Sequence, residues 1–189
     1  MISPPDPVPP GRPVLPASRL RTLGLAAAVV LVDQASKLWV SRHLPLGRLR
    51  PLLPGLLDLQ HVHNSGAAFS LFSGSSQALG VVSLLVSAAV LLWILRAPPR
   101  GLWLSLGLGF LLGGAIGNGI DRWRHGVVTD FLAFVPIDFP VFNLADVAIN
   151  LAVASLLIDQ LPQRRGRQLR RTGAPSRQET LDGEGGFRD

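Results

Sequence analysis

The sequence predicts an all-α membrane protein, a bundle of four transmembrane helices. Three observations predict it: four long apolar stretches, a charged fraction of 16% against 48% hydrophobic residues, and no continuous polar stripe along those stretches. A helix needs about 20 residues to cross about 30 Å of hydrocarbon at 1.5 Å per residue. Residues 20–40, 77–95, 102–120 and 142–161 each come close to that length. A soluble helical domain of 189 residues would instead carry amphipathic helices, each with a wet face.

The elements follow in order. Residues 1–18 hold seven prolines and no apolar periodicity, which predicts a disordered leader. The first span is interrupted by Asp33 and Lys37 and precedes no small-residue cleavage site, so it is expected to stay in the mature protein. The connection over about 43–76 is long for a helical hairpin and should hold structure of its own. Within it, residues 57–64 alternate in part between apolar and polar, which suits a short strand lying on the membrane surface. Arg96-Ala97-Pro98-Pro99-Arg100 makes a tight turn between spans two and three, and residues 121–141 form a connection of helical or irregular character. Residues 162–189 are polar, Arg-rich and Gly-rich and read as a disordered basic cytoplasmic tail, leaving 19–161 as the membrane domain.

Four spans place both termini on one side, and the bias of positive charge chooses the side. Close to the spans, the terminal flanks and the short turn carry ten arginines, namely Arg12, Arg19, Arg21, Arg96, Arg100, Arg164, Arg165, Arg167, Arg170 and Arg171. The two long connections carry five: Arg42, Arg48, Arg50, Arg122 and Arg124. The termini are therefore expected in the cytoplasm and the long connections outside. The net charge of +6 collects beside the spans and in the tail, so anionic lipid rather than nucleic acid is the expected partner. Cysteine is absent, which excludes a disulfide, a thiolate metal site and a thiol nucleophile.

Charged and amide side chains inside spans are expensive and therefore point to function. Asp33 and Lys37, spaced i, i+4, share a helix face and can neutralise each other, either to hold the bundle or to support a site. In the third span, Gly113 and Gly117 form a small-xxx-small surface for close helix approach. Asn118, Asp121 and Arg122 share a face at its end, able to bind a peptide backbone or headgroup, or to cap the bundle. In the fourth span, Asn143, Asp146 and Asn150 make a polar stripe. Hydrogen bonding between helices accounts for the asparagines, whereas a buried acid such as Asp146 needs a partner or a proton. Asp130, framed by Val127, Val128, Thr129 and Phe131, is the candidate partner. Two adjacent carboxylates cannot both ionise, so one holds a proton while the other takes one from water, the arrangement of an aspartic protease. Ser65 near His61 and His63 lacks the glycine-flanked elbow of a serine hydrolase, and the two histidines lack a third metal ligand. Asp58 and Asp138 read as ordinary loop acids. A proton- or ion-conducting bundle is the competing reading of Asp33, Lys37 and Asp146.

Five blocks in order carry a resemblance to the bacterial lipoprotein signal peptidases (signal peptidase II). They are residues 33–37, the run His63-Asn64-Ser65-Gly66-Ala67-Ala68-Phe69-Ser70, residues 113–122, residues 126–131, and Phe142-Asn143-Leu144-Ala145-Asp146 with Ile149. The resemblance implies a membrane aspartyl endopeptidase that cleaves a prolipoprotein just before its diacylglyceryl-modified cysteine, with Asp130 and Asp146 as the catalytic pair and no metal or other cofactor. It associates Asp33, Lys37, Asn64, Gly66, Asn118, Asp121, Arg122 and Asn143 with substrate contact or site support. It further implies a small extracytoplasmic β-sheet, a mobile loop helix, a monomer in the bacterial inner membrane, a site at the extracytoplasmic face, and sensitivity to globomycin-type inhibitors. Thr129, where the family often has an apolar residue, the long leader and the basic tail are departures that leave the acids in place.

Overall fold

The computed structural model describes residues 16–66 and 76–161. In chain order the elements are α1 (Ala17–His43), β1 (Leu49–Leu53), β2 (Leu57–Asn64), α2 (Ser76–Arg96), α3 (Leu102–His125), β3 (Val128–Phe134) and α4 (Leu144–Gln160). Helices α1, α2 and α3 are each long and apolar enough to cross a membrane. Helix α4 has 17 residues, about 26 Å at 1.5 Å per residue. The tail from residue 162, the first fifteen residues of the expected leader and residues 67–70 of one sequence block lie outside the described residues.

Three boundaries differ from the sequence reading. Helix α1 starts at Ala17, directly after Pro16, so the end of the proline-rich stretch is helical. Helix α3 runs on to His125 and stops where Gly126 adopts φ 72°, the left-handed conformation that ends helices and suits glycine. The connection expected to be helical or irregular instead contains β3, whose β-branched and aromatic residues favour a pleated strand. No loop helix occurs among the described residues.

Helix α3 is the centre of the bundle, packing on α1, α2 and α4, while α1 and α2 scarcely touch. Its glycines explain the close approach. A Cβ on Gly113 would lie 2.6 Å from the Val29 side chain and 2.9 Å from the Ala26 carbonyl oxygen on α1. One on Gly114 would lie 2.7 Å from the Ala145 carbonyl oxygen on α4. The apolar core between α1, α2 and α3 is built from Ala26, Val90, Ile94, Leu108 and Leu112. Many large residues on the outer surfaces, such as Leu31, Leu85, Trp93 and Leu157, are exposed, as lipid-facing positions would be.

The strands form one antiparallel sheet in the order β1-β2-β3. Pro51, which cannot donate to a ladder, sits in the edge strand β1. Gly55, at φ 75°, turns the chain from β1 into β2. On the other side, β3 pairs with β2 so that Val62 faces Asp130 and Asn64 faces Val128. The free edge of β3 then binds the segment leading into α4, where the Leu132 N–H donates to the Phe142 carbonyl at 2.8 Å and the Phe142 N–H returns to Leu132 at 3.0 Å. Val40 at the end of α1 packs under Phe131 and Leu132. The sheet thereby holds one end of the bundle, between the C-terminal ends of α1 and α3 and the start of α4.

Candidate active site

Asp130 projects from β3 and is 2% exposed. One carboxylate oxygen accepts from the Asn64 side-chain amide at 2.8 Å, and the other accepts from the Asn143 side-chain amide at 2.6 Å. The β2–β3 register produces the first contact, because Asn64 lies diagonally across the ladder from Asp130. Asp146 stands in the first turn of α4. Its Oδ2 accepts from the Asn143 backbone N–H at 3.1 Å, while the Asn143 Oδ1 accepts from the Asp146 N–H at 3.1 Å, a reciprocal capping box. Its Oδ1 accepts from the Asn118 side-chain amide of α3 at 2.8 Å. Asn143, wholly buried, is thus bonded to both carboxylates, and through a second bond its amide reaches the Asn118 Oδ1 at 3.0 Å.

Behind these amides lies a buried charge cluster. Lys37 donates to Asp33 at 2.9 Å, to Asp121 at 3.1 Å and to the Asn118 Oδ1 at 2.9 Å, which uses its three N–H groups. The other oxygen of Asp33 accepts from the Ala145 N–H at 3.0 Å, joining α1 to the first turn of α4. Asp121 accepts from the Thr129 N–H at 3.1 Å, joining α3 to the strand that carries Asp130. That contact uses the backbone of Thr129, not its side chain. Gln34 completes the cluster, its amide lying 3.2 Å from Asp33, 3.0 Å from Asp121 and 3.1 Å from the Gly117 carbonyl. At Gly117 a Cβ would stand 2.7 Å from the Asp33 Oδ2, so the helix must be bare there.

The carboxylates open on a cavity of about 600 Å³. Asn64, Gly66, Asn118 and Arg122 line it beside Asp130 and Asp146, and Phe139, Phe142, Val147 and Leu151 make its apolar wall. Arg122 points in from α3, with one Nη 3.3 Å from the Gly66 carbonyl and its Nε buried without a partner among the described residues. Burial pushes the Asp130 carboxyl up to about 6 and the nearby Asp146 adds to this, while the amides of Asn64 and Asn143 pull it back.

All ten sequence-predicted site residues therefore meet. They form one hydrogen-bonded network, with Gly66 and Arg122 at its rim: the Gly66 N–H donates to the Asn64 Oδ1 at 2.9 Å and Arg122 donates to the Gly66 carbonyl at 3.3 Å. Gln34 was missed, although a lone amide beside Asp33 in an apolar span is a signal of the same kind as the charges. His61 and His63 do not line the cavity; His61 Nδ1 lies 2.8 Å from the Leu44 carbonyl, an anchor between sheet and α1. Asp58 lies in the β2 ladder opposite Ala133, and neither it nor Asp138 lines the cavity.

Comparison with known proteins points one way. Residues 25–162 match the family model described as signal peptidase (SPase) II. A lipoprotein signal peptidase of Parasynechococcus marenigrum is 57% identical over 141 residues, covering 75% of this chain and 89% of that one. One from Gloeobacter violaceus is 49% identical over 152 residues, covering 80% and 85%. A bacterial membrane enzyme structure solved by the in meso method superposes with a TM-score of 0.68 at 27% identity, covering 75% of this chain and 93% of that one.

Proposed function

The chain belongs to the signal peptidase II family, and we propose that it removes the signal peptide of a diacylglyceryl-modified prolipoprotein, cleaving just before the lipidated cysteine with Asp130 and Asp146. The observation that carries this reading is the shared partner Asn143, bonded at once to both carboxylates on the wall of one cavity. Two acids that close retain one proton between them.

The surroundings favour Asp130 as the proton holder. Its raised pKa reflects burial. Asp146, held in the first turn of α4 by the Asn143 and Asn118 N–H groups, is left to act as the base. The ionised Asp146 then takes a proton from water as the oxygen attacks the scissile carbonyl. Asp130 donates to that carbonyl oxygen as it becomes tetrahedral; as the C–N bond breaks, the proton gained by Asp146 passes to the leaving amine and Asp130 regains its proton from a hydroxyl of the collapsing gem-diol. Both carboxylates come from one chain, so a monomer suffices. The apolar wall suits acyl chains and the hydrophobic signal segment, and globomycin-type inhibitors would occupy the same cavity.

The setting follows from the same geometry. α4 serves as a fourth span, helices of alternating direction gather the sheet and the acids at one end, and the arginine bias turns that end outward from the cytoplasmic membrane. A lipid-bearing substrate then reaches the acids without leaving the bilayer. Asp130→Asn and Asp146→Asn, each purified in detergent and given diacylglyceryl prolipoprotein, test the chemistry. Each is expected to lose at least about a thousandfold in turnover, as removal of a group central to acid–base catalysis does. Turnover within tenfold of wild type in either variant removes that residue from the reaction.

A further inference from the structure

Asn150 stands apart from the other amides near the acids. Asn64, Asn118 and Asn143 each bond a different element of the fold, whereas among the described residues the Asn150 Nδ2 donates only to the Asp146 carbonyl of its own helix, at 2.9 Å. That carbonyl already has the helix N–H of residue 150 as its regular partner, so the side chain satisfies nothing that would otherwise be orphaned. Asn150 is exposed, lines the cavity, and lies one helical turn, about 6 Å, beyond Asp146 along α4. Its neighbours on that wall are apolar, Val147 and Leu151. An amide left open on the apolar wall of a membrane helix is costly unless something binds it.

A substrate has a matching need. A signal segment crosses the bilayer as a helix with its backbone groups paired internally, yet a peptide bond must be in extended chain to be attacked from its face. Unwinding frees backbone N–H and C=O groups at membrane depth, where protein must satisfy them. Among the described residues Asn150 keeps one N–H and its side-chain carbonyl oxygen unused, the complement of one peptide unit.

We propose that Asn150 is a substrate-binding residue that pairs through its side-chain amide with the unwound backbone of the signal segment, on the side of the scissile bond that enters the bilayer. The proposal rests on the catalytic reading above. It assigns Asn150 no part in proton transfer.

Asn150→Leu tests it, since leucine suits both a helix and lipid and should leave the thermal midpoint in detergent unchanged. With diacylglyceryl prolipoprotein, kcat/KM should fall about tenfold to a hundredfold, the scale of one or two hydrogen bonds whose partners are left bare. A series of lipidated substrates, each with one backbone N–H before the cysteine replaced by an ester oxygen, locates the partner. At one position wild type should lose about tenfold while Asn150→Leu loses nothing further. Equal activity of variant and wild type overturns the assignment, as does a substrate series in which every replacement weakens both enzymes by the same factor. A wild-type chain that cleaves no prolipoprotein overturns the catalytic reading, and this one with it.

Discussion

Replacing Asp130 by asparagine should remove one component of the pH dependence of this protein's stability between about pH 4 and 6. The carboxyl group is raised from 3.8 to about 6 in the folded chain. A tenfold change in proton affinity is about 1.4 kcal/mol, so the difference amounts to about 3 kcal/mol. The sign follows from proton counting: between the two values the folded chain binds the proton and the unfolded chain has released it, so stability falls as pH rises. Wild type is therefore stabilised at pH 4 relative to pH 7 by this group, and Asp130→Asn is not. The variant carries its own offset. Asn64 and Asn143 both present N–H donors to this position, and an asparagine there can accept only with its single oxygen, which costs about 1–3 kcal/mol for the unmatched donor. That offset is independent of pH. The quantity to measure is the change, between pH 4 and 7, in the difference between wild-type and variant stability, from unfolding followed in fixed detergent. Because the unfolded acid is already partly protonated at pH 4, a little over about 2 kcal/mol of the Asp130 contribution falls within the range measured, and at about 2–4 °C per kcal/mol for a chain this long the thermal midpoints should diverge by about 5–10 °C. Parallel curves for the two proteins would refute the burial of an acid at position 130 as the source of its raised pKa.

Three further outcomes follow from the same geometry. Peptidase activity should fall as pH rises above about 6, because Asp130 loses the proton it donates; a kcat/KM profile flat from pH 6 to 9 contradicts its assignment as the acid. Gly117→Ala places a methyl 2.7 Å from the Asp33 Oδ2 and should destabilise by about 2 kcal/mol or more, whereas Gly24→Ala on the open face of α1, with nothing within 4 Å, should be neutral or stabilise by up to about 1 kcal/mol; paired thermal unfolding separates them. Lys37→Met strands Asp33 and Asp121 without their cation and should cost about 3–5 kcal/mol, while the double change Lys37→Met with Asp121→Asn should recover part of it.

How much of this was legible in the sequence depended on whether a residue's reason was local. The spans announced themselves by length, and Asp33, Lys37, Asn118, Asp121, Asn143 and Asp146 by their price in lipid, which any single helix reveals. The meeting of Lys37 with Asp121 was not legible, since it joins residues more than eighty positions apart on two different helices. The sheet was read only in β2. Its partner β1 carried a turn signal at Pro54-Gly55 and β3 carried the β-branched run at Val127, Val128 and Thr129, but strand pairing is non-local and a five-residue strand containing Pro51 argues against itself. Asp130 suffered most from this. Only the β2–β3 register brings it beside Asn64, so before the structure its place rested on an apolar frame and a family block.

The network also explains why neutral amides, rather than cations, touch the two acids. A lysine placed directly against either carboxylate, about 4 Å away at an effective dielectric of about 20, would favour its ionised form by about 4 kcal/mol, or about three decades in proton affinity. Such a contact would pull the Asp130 carboxyl well below its value of about 6, so that the proposed acid would be lost over the pH range in which the reaction needs it. Lys37 is instead absorbed by Asp33 and Asp121, and it reaches Asp146 only through Asn118, whose Oδ1 takes the ammonium while its Nδ2 holds the carboxylate. That polarity fixes the orientation of the Asn118 amide, and the second bond to its Oδ1 fixes that of Asn143. The charge cluster thus sets the direction of the Asn118 and Asn143 side-chain bonds to the acids while keeping its own positive charge one side chain away, and the Gly66 N–H, donating to the Asn64 Oδ1 at 2.9 Å, sets that of Asn64.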